Sequence, residues 1–138
     1  MKRNVLLATA ILILAVACKK SNSDDPVPTA QPSPAEGYWF GGYTTTGQAG
    51  FENYAMLIKP DGFVRIYDLG TKTDTSTLLT GAKVSGVWSM TGNTIQTTYK
   101  SGMKIVNTTA TLNALKTQMN GTWGYEATTK GGIELIKQ

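Results

Sequence analysis

Tyr54-Ala55-Met56-Leu57-Ile58-Lys59, Pro60-Asp61-Gly62 and Phe63-Val64-Arg65-Ile66-Tyr67-Asp68 together form the stretch that decides the fold. Two apolar runs of strand length flank an Asp-Gly pair, a strong short-range signal for a β-hairpin. A type I′ turn needs positive φ at both central residues, which Asp and Gly tolerate. The reading therefore expects two antiparallel strands joined by a type I′ turn at Asp61-Gly62.

Working outward, further hairpins are expected at Gly92-Asn93, at Ser101-Gly102 and at Lys130-Gly131-Gly132. Runs of period-two alternation lie between these turn signals, and no helical period is sustained. The expected strands are 38–45, 53–59, 63–69, 75–80, 84–90, 94–100, 103–112 and 117–127, with a short ninth at 133–137. Short strands at this spacing predict an all-β, antiparallel up-and-down meander of about eight strands. Closing it into a small barrel removes exposed sheet edges. A flattened sandwich or half-open barrel is the alternative.

The motif Gly-x-Trp occurs at Gly37-Tyr38-Trp39, Gly86-Val87-Trp88 and Gly121-Thr122-Trp123, and it contains all three tryptophans of the chain. Residues two apart on a strand share a face, so each glycine leaves room beside a large ring. Tyr43, Met90 and Tyr125 fall on the same faces and complete an aromatic-rich interior. Stability alone could account for such rings. As a site, Tyr43, Trp88, Trp123 and Tyr125 are the candidates for contact with a small apolar or amphipathic ligand. An eight-stranded barrel has room for one such molecule at most.

Gly37-Tyr38-Trp39 at the start of a meander resembles the signature of lipocalins and related calycins. The resemblance covers residues 37–138 as an architecture, at the scale of short lipocalin-like domains in bacterial lipoproteins. It implies that Trp39, beside Gly37, plugs the closed end of the barrel against a basic residue of the last strand, the place of Lys137. The chain departs from the family pattern in three ways. Its only arginine after Arg3 is Arg65, it has no Thr-Asp-Tyr turn, and it has no C-terminal helix.

The N-terminus predicts where the domain is held. Lys2 and Arg3 precede an apolar run of 12 residues, Val5 to Val16, too short to cross a bilayer core of ~30 Å. Ala15-Val16-Ala17-Cys18 is similar to the lipobox of bacterial lipoproteins, which implies a signal peptide over 1–17 and lipid attachment at Cys18. Lys19 to Asp25, charged and acid-containing, resembles the export tag of surface lipoproteins of the Bacteroidota. The expected place is the cell envelope, anchored to the outer membrane, with display at the cell surface and an inward-facing anchor as the alternatives. Pro26, Pro28, Pro32 and Pro34 punctuate a polar stretch, so 18–36 reads as a lipidated cysteine and flexible tether, and 37–138 as the barrel domain.

Composition removes most catalytic chemistry. Of 138 residues none is histidine, and the one cysteine is Cys18. An imidazole base, a thiol nucleophile in the barrel and a His- or Cys-ligated metal are thereby excluded. Ser101-Gly102-Met103-Lys104 matches Ser-x-x-Lys, but the glycine puts it at a hairpin rather than on the helix that chemistry needs. Glu52, Asp68, Glu126 and Glu134 are scattered over turns and strand ends, as a solvated surface would have them. Without Lys2 and Arg3 the chain carries 11 basic and 9 acidic groups without a stripe, a poor fit to nucleic acid. The expectation is a non-enzymatic binding protein without cofactor or metal. The alternatives are a structural or protein-interaction module with a filled barrel, and an enzyme inhibitor.

Overall fold

In a computed structural model, residues 31–70 and 82–138 are described. Eight antiparallel strands form a closed up-and-down barrel: β1 (Gly37–Tyr43), β2 (Glu52–Ile58), β3 (Phe63–Gly70), β4 (Ala82–Thr91), β5 (Thr94–Ser101), β6 (Lys104–Leu112), β7 (Gln118–Tyr125) and β8 (Thr128–Lys137). Each strand pairs with the next, and β1 closes on β8 in the register Trp39↔Lys137 to Tyr43↔Ile133. The barrel, not the sandwich, is the architecture.

The hairpin that decided the fold is present, with a different turn. Lys59 N–H donates to Phe63 O, and Gly62 N–H donates to Lys59 O. Gly62 has φ +82°, whereas Asp61 is not among the residues with positive φ. Three residues, Pro60-Asp61-Gly62, therefore make the connection, with the glycine in the left-handed position. Proline has no N–H, so Pro60 could not form the two-way hydrogen-bonded pair with Phe63 that closes a two-residue turn, and Lys59 pairs with Phe63 instead. The Asp61 carboxylate instead accepts from Phe63 N–H at 3.1 Å and pairs with Lys59 at 2.9 Å.

Two strand expectations change. The segment 75–80 lies outside the described residues, and β3 pairs directly with β4 from Phe63↔Val87 to Asp68↔Ala82. No hairpin forms at Lys130-Gly131-Gly132, because β7 turns into β8 at Glu126-Ala127, with Glu126 at φ 52°. Gly131 and Gly132 lie inside β8, which runs from 128 to 137 as one strand rather than as a short ninth. Glycine is required at 131, where a Cβ would collide with the backbone of Thr44 and reach the Trp123 indole nitrogen at 2.8 Å.

Period-two alternation places the core. Trp39, Met56, Ile58, Val64, Ile66, Ile95, Ala110, Leu112, Met119 and Leu135 are buried inside the barrel. A second apolar group, Ala55, Tyr67 and Leu69 with Tyr38, Phe40 and Leu57, occupies the opposite face of β1–β3. Residues Gln31–Gln138 form one compact unit. Pro34 and Ala35 reach the start of β1 to pack on the barrel end. Ala35 is fully buried there.

Candidate functional site

The two ends of the barrel are built differently. Odd-numbered strands run from the end holding Trp39 to the end holding Tyr43, and even-numbered strands run back. At the first end Trp39 is 0% exposed, and its indole Nε1–H donates to Ala35 O at 2.7 Å. Lys137 Nζ lies 5.5 Å from the Trp39 ring centroid and donates to Pro34 O at 2.9 Å. Gly37, at φ +121°, leaves the space through which the Lys137 side chain passes, with Cε 3.1 Å from where a Cβ would stand. Gly37, Trp39 and Lys137 thus meet at one end, which is closed by side chains and by residues 33–36.

The other end opens into a small pocket of about 70 Å³. That is well below the ~300–1,000 Å³ usual for drug-sized ligands, so it has room for a small group only. Its lining includes Tyr43 from β1, Tyr54 from β2, Asp68 from β3, Tyr99 from β5, and Trp123 and Tyr125 from β7. The rings meet edge to face: Tyr43–Tyr54 at 6.0 Å and 87°, Tyr43–Trp123 at 5.2 Å and 73°, and Trp123–Tyr125 at 5.5 Å and 88°. Such pairs contribute ~0.5–1.5 kcal/mol each beyond area burial. Trp123 Nε1–H donates to Thr44 O at 2.8 Å, which locks the indole against the β1 end. Thr108, buried, lines the pocket's inner part.

Hydroxyl groups and one carboxylate set the electrostatics. Tyr54 and Tyr99 hydroxyls are 3.4 Å apart, and the Tyr43 hydroxyl donates to Glu52 at 3.3 Å. Burial pushes the Tyr43 phenol far above its ordinary pKa, and the negative charges of Asp68 and Glu52 push it further. Burial likewise raises Tyr54 well above the usual value, with Tyr99 and Asp68 adding to it. Burial raises Tyr99 too, and Asp68 adds to the rise. All three phenols stay neutral through the physiological range. The lining can therefore stack on flat groups, accept or donate hydrogen bonds, and present negative charge.

Three of the four expected ligand contacts, Tyr43, Trp123 and Tyr125, are brought together here. Trp88 is not, because β4 runs away from the mouth. Its indole Nε1–H donates to Lys59 O at 2.8 Å beside the β2–β3 turn, at the closed end. Tyr99, from β5, also lines the pocket. Sequence reasoning missed Tyr54 and Asp68, although each continues an inward alternation, Tyr54-Met56-Ile58 and Val64-Ile66-Asp68. Ser101 and Lys104 are cross-strand partners either side of the Gly102-Met103 turn, so the Ser-x-x-Lys match is a hairpin. Among the described residues no group of three or more His, Cys, Asp or Glu side chains could hold a metal, and no helix is long and apolar enough to cross a membrane. No protein-family model matches the chain, and no curated protein matches it.

Proposed function

We propose that this chain is a lipid-anchored protein of the cell envelope, attached to the outer membrane through Cys18, that captures one small ligand in the barrel mouth without transforming it. The observation that carries this reading is the contrast along the barrel axis. One end is packed solid around Trp39, while the other keeps an aromatic-lined pocket whose part-buried rings rest on the core from one side and face the mouth on the other. A barrel that served only as a support would gain by filling both ends, since unfilled space costs stability.

Native mass spectrometry of the full-length chain from its own cells tests the reading. The expected result is a small non-covalent mass that disappears on denaturation, is lost in Trp123→Ala and is kept in Trp88→Phe. Retention of the adduct in Trp123→Ala would remove the mouth from consideration. A second reading, a protein-docking module, is favoured by one feature: Phe63 and Val87 are cross-strand partners on the outer face, each about half exposed. It predicts a bare barrel in the same experiment and a protein partner lost in Phe63→Ser.

A further inference from the structure

The outside of the barrel is not uniform around its circumference. Gln96, Thr98, Thr109, Thr111 and Asn120 make the outer face of β5–β7 polar, with Ile105 near the mouth as the exception. Across β2–β4 the outward positions carry Leu57, Phe63 and Val87 instead, and the cross-strand partners Phe63 and Val87 are 52% and 53% exposed. Apolar side chains gathered on one side mark a contact surface. Beside them runs a groove of about 210 Å³, against about 70 Å³ at the mouth, lined by Leu57, Lys59, Phe63, Val64, Arg65 and Ser85. Lys59 is paired with Asp61 at 2.9 Å, whereas no ion pair or hydrogen bond among the described residues holds the exposed Arg65 guanidinium.

We infer that this groove is a membrane-docking face, with Phe63 and Val87 entering the headgroup boundary of an anionic bilayer and Arg65 donating to a lipid phosphate; this rests on the lipid-anchored reading above. Aromatic and aliphatic side chains with a neighbouring cation suit that boundary, and a guanidinium matches a phosphate in bidentate geometry. Where the chain leaves the barrel favours a bilayer over a protein as the occupant. Residues 33–36 pack at the closed end, and the groove lies at that end too, beside the β2–β3 turn. Twelve residues, 19–30, separate Gln31 from Cys18, and an extended chain of that length reaches ~40 Å. A lipid at Cys18 would hold the groove within tether length of a bilayer, so that contacts too weak to bind from solution suffice.

The test uses the full-length chain taken from its own cells, whose intact mass first shows whether Cys18 is acylated. The chain is then placed in vesicles of phosphatidylcholine, with or without added phosphatidylglycerol. A nitroxide on Ser85→Cys, in the groove, reports the access of a water-soluble nickel complex, and one on Asn120→Cys, on β7, serves as the reference. On the anionic vesicles, access at position 85 should fall at least about threefold relative to position 120. Arg65→Gln should lower the ratio of docked to free barrel about fivefold, and Phe63→Ser should lower it at least as much. Added salt should act in the same direction as Arg65→Gln. A chain without the acyl mass would overturn the anchor reading and this inference with it. An acylated chain whose position 85 stays as open as position 120 would overturn the docking face alone, leaving the anchor and the mouth in place. Protection of position 85 in intact cells but not on vesicles would assign the groove to a protein and overturn the lipid assignment. Phe63 and Arg65 are exposed, so their variants keep the barrel, and either one alone decides the matter.

Discussion

Trp39 and Trp123 occupy the same motif on strands that run in the same direction, yet they end in opposite circumstances. Trp39, third in β1, is sealed beneath Ala35 with Lys137 at its face. Trp123, sixth in β7, stands at the mouth between Tyr43 and Tyr125. Both indoles donate to a backbone carbonyl of the segment flanking β1, Ala35 before it and Thr44 after it. The same local device, glycine beside an inward tryptophan, closes the barrel at one height and lines a pocket at another. Position along the barrel axis, rather than the motif, assigns the role.

That comparison can be tested by changing each end in turn. Trp39→Ala should be the most damaging change, costing ~3–5 kcal/mol, because the surrounding closed end cannot collapse into the space left. Urea unfolding measures it, and a loss no larger than that of Trp123→Ala would erase the distinction between the ends. Trp123→Ala should cost ~1–2 kcal/mol, since its ring is only part-buried and its neighbours face water. Between these lies Gly131→Ala, at about 1–3 kcal/mol, because the added methyl forces β8 away from Thr44 where the mouth is tied to β1. Lys137→Met, keeping the stem and removing the charge above Trp39, should cost about 1 kcal/mol or less.

The ends should also differ in their response to alkali. Tyr43, Tyr54 and Tyr99 have folded-state pKa values above the ordinary 10, chiefly through burial, and all three lie at the mouth. The unfolded chain releases these protons near pH 10, while the folded chain holds them to higher pH. Their contribution is thus fully present below about pH 10 and is lost as pH rises through the folded-state values. Tyr38, on the outer face of β1, is raised by burial and acts in the same direction. Unfolding midpoints at pH 8, 10 and 11 should fall over the last interval, and Tyr54→Phe should reduce the fall. An unchanged fall in that variant would mean the mouth tyrosines are not its source.

Local chemistry made much of this legible in the chain. Glycine at turns, alternation with period two and glycine beside tryptophan are short-range features, and they specify strands, hairpins and inward faces without reference to anything distant. Tyr43, Trp123 and Tyr125 were recognisable as inward residues for that reason, as were Trp39 and, from the lipocalin resemblance, Lys137. Height along the barrel is a different kind of information. Antiparallel strands alternate in direction, so counting a strand at 75–80 reverses every strand after it. The direct pairing of β3 with β4 sends Trp88 to the closed end and Trp123 to the mouth. Register across distant strands, set by closure of β1 on β8, then brings Tyr54, Asp68 and Tyr99 to the level of Tyr43. Which side a residue faces follows from its immediate neighbours in the chain, whereas which residues share a level follows from how all eight strands close. The group of mouth rings with Asp68 at its rim is a property of the closed barrel.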